Sequence, residues 1–137
     1  MYFAVALLGA APSLAAQAAD TTRKPMAEME DYAMSGWKEL DAFHMVMMQT
    51  WHPAKGKNDL KPIREKAQDL AAKAEKWSKS AFPKACDTPA MRTAVTKTAQ
   101  QSLELARITA KGTDEELKAA LKGVHDTFEV VEHGCKP

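Results

Sequence analysis

Apolar and polar residues alternate along most of this chain in steps of three and four positions, which is the spacing of one face of an α-helix. The clearest stripe follows a polar loop at residues 53–58, and Pro62 is tolerated in its first turn because an N–H there has no helical partner. Its apolar positions are Leu60, Ile63, Ala67, Leu70, Ala74, Trp77 and Ala81. No segment shows the convincing period-two alternation of a strand. The pattern therefore predicts an all-α protein.

An earlier stripe predicts a first helix from about Pro25 to Trp51. Pro53 is expected to end this helix because the residue before a proline avoids helical backbone angles. Gly36 would lie inside the helix and weaken it by roughly 1 kcal/mol relative to alanine. The apolar positions of the stripe are Met26, Met29, Ala33, Trp37, Leu40, Phe43, Met47 and Trp51.

A third helix is predicted to open at Thr88-Pro89, a capping residue followed by proline at the first helical position. It should run to about Lys111 and stop at Gly112. Its inner face is predicted to consist of Met91, Val95, Ala99, Leu103 and Ala106.

The fourth helix opens with Thr113 and Glu116, the spacing of a capping box in which each side chain accepts a hydrogen bond from the other residue's backbone N–H. Gly134 is expected to close it. Its apolar stripe is Leu117, Leu121, Val124, Phe128 and Val131. Four long helices with short links predict an antiparallel up-down-up-down four-helix bundle.

The two cysteines provide a check on this topology. In an up-down-up-down bundle, the link between the second and third helices lies at the same end as the terminus of the fourth. Cys86 lies in that link and Cys135 just beyond that terminus, so we expect a disulfide between them. Two cysteines in an exported chain are commonly paired.

Export is predicted from residues 1–19, which carry no charge and are rich in Ala and Leu. They end in the Ala16-Gln17-Ala18 pattern of a signal-peptide cleavage site. We therefore predict a signal peptide at 1–19 and a bundle domain at 20–137. The rival interpretation is a membrane anchor, but Pro12 breaks the apolar run. The mature chain is expected to be periplasmic or secreted and free of the membrane.

Charge and motifs exclude several function classes. The formal net charge is +1 and no basic block occurs, so nucleic acid is not an expected partner. The sequence lacks Cys-x-x-Cys-His, the signature of covalent haem attachment. It also lacks His-Glu-x-x-His, a glycine-rich phosphate loop and the Glu-x-x-His pairs of di-iron bundles. We predict a protein that is not an enzyme, and a homodimer is compatible with this interpretation.

Histidine and methionine are concentrated near the end of the first helix. His44, Met48 and His52 follow one another at intervals of four, so they share a helical face. Asp41 lies three residues before His44 and joins the edge of that face. At least one of the neighbouring methionines should be exposed or lie at a partner surface, because three consecutive residues such as Met45, Val46 and Met47 are not expected to point inward together.

A similar face occurs on the fourth helix, where His125, Glu129 and His133 also follow at intervals of four. An antiparallel register that pairs the Trp51 end of the first helix with the start of the fourth brings His44 and His125 toward each other. Imidazoles and carboxylates from facing helices form metal sites in bundles. Zinc and copper suit imidazole, and copper would also recruit a thioether. The predicted metal ligands are His44 and His125, with His52, Asp41, Met48 and Glu129 as additional candidates.

Two alternatives to a metal site remain open at the level of sequence. In the first, His44 and His125 are semi-buried and hydrogen-bonded and hold no metal. The chain would then be a cofactor-free interaction or stress-protection bundle whose exposed methionines contact a partner. A non-covalent b-type haem carrier would use Met29 and His133, since the ends of the first and fourth helices meet in an antiparallel bundle.

The layout resembles the cytochrome c′-like and soluble b-type cytochrome group of exported four-helix bundles. The residues that carry this resemblance are Met29 and the run Leu121–Glu129 of the fourth helix. The chain is also similar to haem-less members with Trp51-His52-Pro53 at the end of the first helix and a His-x-x-Phe, here His125 and Phe128. Val131–Cys135 stands where cytochromes c′ place Cys-x-x-Cys-His, so the resemblance implies the fold without covalent haem.

Overall fold

The described part of the chain is a bundle of four α-helices. A computed structural model describes residues 35–135. The helices are α1 Lys38–Lys57, α2 Lys61–Ser78, α3 Pro89–Ile108 and α4 Asp114–Gly134, with a 3-10 turn at Lys84–Cys86. No strand occurs among these residues, which confirms the all-α prediction. None of the helices within them has the length and apolar character that crossing a membrane requires. The predicted signal peptide at 1–19 and the predicted helix start at Pro25 lie outside the described residues.

The predicted passage of the first helix through Gly36 is wrong. Gly36 has a φ of +85°, a left-handed conformation that glycine adopts without steric cost, and α1 begins only at Lys38. Side chains stabilise the turn that precedes it. The N–H of Trp37 donates to Ser35 Oγ at 3.0 Å, and the N–H of Ser35 donates to Asp41 Oδ1 at 2.8 Å. Gly36 is therefore a turn residue rather than a weak point inside a helix.

The prediction that Pro53 ends the first helix is also wrong. The helix continues through Pro53 to Lys57. A proline inside a helix removes one hydrogen bond to the carbonyl four residues earlier, here that of the exposed residue Gln49. The helix ends at Asn58, which has a left-handed φ of 56° and donates its N–H to the Pro53 carbonyl. Asparagine tolerates this conformation, so the stop signal is Asn58.

An aromatic cluster fills the centre of the bundle. Phe43 of α1 stacks on Trp77 of α2 with ring centroids 5.3 Å apart, and Phe128 of α4 lies 5.5 Å from Phe43. Trp37 packs edge-on against Trp77 at 5.8 Å and donates its indole N–H to Ser80 Oγ at 3.0 Å. Buried aromatic rings contribute large apolar areas to folding. This cluster therefore joins three of the four helices.

The helix ends meet in a way compatible with an up-down-up-down course. Arg64, in the first turn of α2, donates to the carbonyls of Thr109 and Gly112 and pairs with Asp114 at 2.8 Å. At the opposite end, Cys86 and Cys135 form the predicted disulfide, with Cα atoms 5.1 Å apart. The disulfide is thereby confirmed.

The inner face of α3 differs from the predicted one. Leu103, expected inside, is 50% exposed. Thr98 and Ser102 are buried instead, and their hydroxyls donate to the carbonyls of Ala94 and Thr98 at 2.8 and 2.7 Å. A hydroxyl bonded to its own helix backbone can be buried without leaving a donor unsatisfied. The polar residues therefore face inward here, which a hydrophobic pattern does not predict.

The start of α4 agrees with the prediction in full. Glu116 N–H donates to Thr113 Oγ1 at 3.2 Å, and Thr113 N–H donates to Glu116 Oε2 at 2.8 Å, so the capping box is formed. All five residues of the predicted apolar stripe are fully buried, and α4 ends at Gly134. This well-defined helix presents the histidine discussed next.

Candidate metal centre on α4

The methionine-rich segment of α1 belongs mostly to the core. Val46, Met47 and Met48 are buried in succession, while Met45 is half-buried. The expectation that three consecutive residues of this helix cannot all point inward is therefore wrong for residues 46–48, because α1 contacts both α2 and α4. Methionine fills irregular gaps between helices well. Most of the thioether groups of this segment therefore have a packing role.

His125 is the most deeply buried histidine among the described residues, with 9% of its surface exposed. Its position on α4 is one residue beyond the buried stripe, next to Val124. The imidazole stacks on the indole of Trp51 with ring centroids 4.1 Å apart and planes at 16°. The side chain is therefore held between α1 and α4 in a fixed orientation.

Two carboxylates flank the His125 imidazole. Glu129 Oε1 lies 3.6 Å from Nε2, and Asp126 Oδ1 lies 3.9 Å from Nδ1. Each of the three residues offers a ligand atom within 4.8 Å of the others, and they form the only such group of three or more His, Cys, Asp and Glu residues in the described part of the chain. We refer to His125, Asp126 and Glu129 as the α4 cluster.

One atom of the α4 cluster is unsatisfied. Nδ1 of His125 is buried and has no hydrogen-bond partner among the described residues. Buried polar atoms are almost always paired in native proteins, because an unpaired one loses its hydration without compensation. Asp126 Oδ1, at 3.9 Å, is too far away to be a hydrogen-bond partner of this nitrogen.

His44 lies elsewhere on the same helix pair. Its Nε2 is 3.7 Å from Glu132 Oε1, and its ring lies 5.1 Å from that of Phe128. Since Trp51 contacts His125 and His44 contacts Glu132, the predicted register of α1 against the start of α4 is wrong. The physical reason is that α1 extends beyond Trp51 to Lys57. His44 is not a member of the α4 cluster.

The other predicted ligands occupy varied environments. His52 is exposed, and Met48 is buried in the core. Asp41 is buried and accepts the Ser35 N–H at the start of α1. Glu129 joins His125 in the α4 cluster. For the haem alternative, His133 is exposed and Met29 lies outside the described residues.

Asp126 is the member of the cluster that sequence reasoning missed. Adjacent residues on a helix do not share a face, so a search along faces passes over the residue that follows His125. No signal in the sequence marks Asp126 as a member, because its approach to His125 depends on side-chain rotamers. Asp126 also pairs with Lys122, four residues earlier. Their side chains bond at 2.5 Å.

Burial and charge act in opposite directions on the cluster. Burial lowers the pKa of His125 below its ordinary value, and the negative charges of Glu129 and Asp126 only partly offset this effect. Lys55 lowers the pKa further, and Glu132 raises it. The hydrogen bond from Lys122 lowers the pKa of Asp126. The cluster therefore combines a neutral imidazole with an ionised aspartate near neutral pH.

The lowered pKa of His125 predicts a loss of stability in acid. The unfolded chain binds a proton at this imidazole below about pH 6.5, its ordinary pKa, whereas the folded protein resists protonation. The unfolded state thus binds more protons, and the free energy of unfolding falls as pH decreases below about 6.5. Urea unfolding at pH 7.5, 6.5 and 5.5, with a chelator present, should show that the free energy of unfolding decreases as the pH is lowered.

A matched pair of variants isolates the contribution of His125. His125→Gln should reduce the slope of unfolding free energy against pH, whatever its effect on overall stability. His133→Gln, which removes an exposed histidine of the same helix, should keep the slope of the original protein. Equal slopes for the original protein and His125→Gln would contradict the prediction.

Comparison with known proteins adds no relative. Neither family models, curated proteins nor solved structures give a match to this chain. The resemblance to cytochrome c′-like proteins therefore stays a prediction, and function has to be argued from the α4 cluster itself.

Proposed function

We propose that this chain is an exported, non-catalytic four-helix bundle that binds a divalent transition metal, zinc or copper, at the α4 cluster. The observation that carries the proposal is the grouping of the buried His125 imidazole with the carboxylates of Asp126 and Glu129, which offer ligand atoms within 4.8 Å of one another. A metal site explains why an imidazole is desolvated beside Asp126 and Glu129. The structural disulfide supports export, because such bonds persist in oxidising compartments.

The donor set suits such an ion. Neutral imidazole and carboxylate oxygen are both ordinary zinc ligands, and copper also accepts them. Tetrahedral zinc holds its ligand atoms about 3.3 Å apart, so His125 Nε2 and Glu129 Oε1, at 3.6 Å, need little adjustment. The lowered pKa of His125 keeps its imidazole unprotonated and available for a metal at neutral pH.

Asp126 completes the proposed set through Oδ1, the oxygen that faces His125. Its other oxygen, Oδ2, pairs with Lys122, so the lysine can stay in place while Oδ1 binds an ion. The three protein ligands leave a coordination position for water or for a further ligand.

The contribution of α1 to the site is the second part of the proposal. His44 contacts Glu132, two turns beyond His125 on α4. Its participation would require the two histidines to approach each other. Trp51 provides the direct contact of α1 with the cluster, because it covers the His125 ring. We propose His125, Asp126 and Glu129 as the ligands. The variants described below decide whether His44 also participates.

The antiparallel up-down-up-down course also belongs to this proposal. It is supported by Arg64 at the α3–α4 link, by Trp37 on Ser80, and by the Cys86–Cys135 bond. In this arrangement the Trp51 part of α1 lies against the His125 part of α4, which lets Trp51 cover His125.

Metal binding is the test of this function. Protein purified without a chelator or an affinity tag should contain about one zinc or copper ion per chain by elemental analysis. Isothermal titration should then measure binding to the chelator-treated protein. Loss of a partner that merely orients a ligand costs about 10–100-fold in affinity. We therefore expect His125→Gln and Glu129→Gln each to weaken binding by at least about 100-fold.

Matched variants make this measurement selective. His133→Gln is the control, because it removes an exposed histidine of α4 outside the cluster. His44→Gln decides whether α1 supplies a ligand, since unchanged affinity assigns the ion to α4 alone. If His125→Gln binds the metal as tightly as the original protein, the α4 cluster is not the site. A protein that binds neither ion would favour the cofactor-free bundle.

A further inference from the structure

A small cleft between α1 and α4 lies beside the α4 cluster. Its residues Trp51 and Lys122 contact His125 and Asp126, but no member of the cluster lines it. Its volume is about 170 Å³. It is lined by Trp51, Ala54, Lys55, Lys118, Leu121 and Lys122. Three of these residues are apolar and three are lysines, and no acidic residue contributes to the lining. The cleft therefore combines an apolar wall with a concentrated positive charge.

The lysines of the cleft are not fully neutralised. Lys118 is half-buried and has no ion pair among the described residues. The Lys55 ammonium lies 5.8 Å from the centre of the Trp51 ring, where a cation is attracted to the aromatic face. Only Lys122 has a carboxylate partner, Asp126. An anion in the cleft would gain attraction from Lys118 and would share Lys122 with Asp126.

Trp51 gives the cleft a rigid aromatic surface. Its indole stacks on the His125 imidazole, which limits its motion, yet the residue stays half-buried rather than fully covered. Trp37 and Trp77, by contrast, are buried in the core. Leu121 and Ala54 extend the apolar surface around the indole. A flat apolar group fits such a surface better than a branched or fully polar one.

We infer that this cleft binds a small planar anion, an aromatic carboxylate whose ring lies against Trp51 and whose carboxylate faces Lys118 and Lys122. Its size limits the ligand. Pockets for drug-sized molecules measure about 300–1,000 Å³, so a volume of about 170 Å³ suits one or two fused rings. Inorganic phosphate would use the lysines but gain nothing from Trp51. A neutral aromatic molecule would leave the lysines unpaired.

Binding of 2-naphthoate is a direct test. Isothermal titration of the metal-free protein, in a chelator and at low salt, should give saturable binding with a dissociation constant on the order of 1 mM, since so small a ligand cannot bind tightly. The indole N–H signal of Trp51 should shift in nitrogen-15 NMR spectra, while those of Trp37 and Trp77 stay unchanged. Trp51→Phe assigns the signal. Because no metal is present, failure here leaves the metal proposal unaffected.

Variants and analogues test the assigned contacts. Lys118→Gln combined with Lys122→Gln should weaken 2-naphthoate binding by about 5–20-fold, since each partly exposed charge pair contributes modestly. Lys66→Gln is the matched control, because it removes a half-buried lysine that does not line the cleft. The neutral analogue 2-naphthylmethanol should bind at least about fivefold more weakly.

Three results would overturn the inference. The first is the absence of saturation, with no shift of the Trp51 signal, up to about 10 mM 2-naphthoate, which would mean that the cleft binds no such ligand. The second is equal affinity for 2-naphthylmethanol and 2-naphthoate, and the third is equal affinity of the double lysine variant and the original protein. Either of the last two would mean that the lysines do not recognise an anion here.

Discussion

Removal of the disulfide is expected to destabilise the protein by about 4 kcal/mol. Cys86 and Cys135 close a loop with a sequence separation of 49 residues, and in the chain-entropy model a cross-link of this span restricts the unfolded chain by about that free energy. Guanidinium unfolding, followed by circular dichroism, should compare the original protein with Cys86→Ala/Cys135→Ala. Alanine is preferred to serine because both cysteines are buried.

Two features distinguish this effect from simple loss of packing. The original protein with its disulfide chemically reduced should lose nearly as much stability as the double variant, although it keeps both sulfur atoms. The dependence of unfolding free energy on denaturant should also steepen, because an unfolded chain without the cross-link exposes more surface. Identical unfolding midpoints for the oxidised and reduced proteins would contradict the prediction.

The sequence predicted the fold best where local signals and hydrophobic pattern agree. In α4, the Thr113 capping box, the apolar stripe and Gly134 all indicate the same helix, and the structure contains it. In α1, two local signals misled. Gly36 adopts a positive φ before the helix, and Pro53 is tolerated within it. Neither the sign of φ nor the tolerance of a proline can be derived from spacing alone.

The candidate site was predicted in part for a similar reason. His125 and Glu129 share a helical face, so their proximity follows from local geometry, and the structure contains the pair. Whether His44 lies close to His125 depends on the register between α1 and α4. That register depends on where α1 ends. Because α1 continues to Lys57, one to two turns beyond its predicted end, His44 lies beside Glu132 and not beside His125. Contacts between helices are therefore less predictable than contacts within one.

The position of Asp126 illustrates a different limit. A face-by-face search treats residues adjacent in sequence as pointing apart. Here Lys122 bonds to Asp126, and Oδ1 of the carboxylate lies 3.9 Å from the buried Nδ1 of His125. The clustering depends on side-chain rotamers rather than on helical spacing. Such a group becomes visible only when the side chains are placed.

The second large effect is expected on α3, where sequence and structure disagree about the inner face. Leu105 is fully buried, whereas Leu103, two residues earlier, is 50% exposed. Leu105→Ala should cost about 2–5 kcal/mol, because it removes buried methyl groups and leaves a cavity that the close-packed core cannot fill. Leu103→Ala should change the free energy of unfolding by less than about 1 kcal/mol, as surface substitutions usually do.

Because both variants make the same chemical change on the same helix, helix propensity cancels in the comparison and only burial differs. Urea unfolding of the two variants at several protein concentrations measures the difference. A large, concentration-dependent loss for Leu103→Ala would mean that a second copy of the chain covers this residue in solution, which is the homodimer compatible with the sequence. A large loss independent of concentration, with little effect of Leu105→Ala, would show that α3 is rotated and that the face predicted from hydrophobic spacing was correct after all.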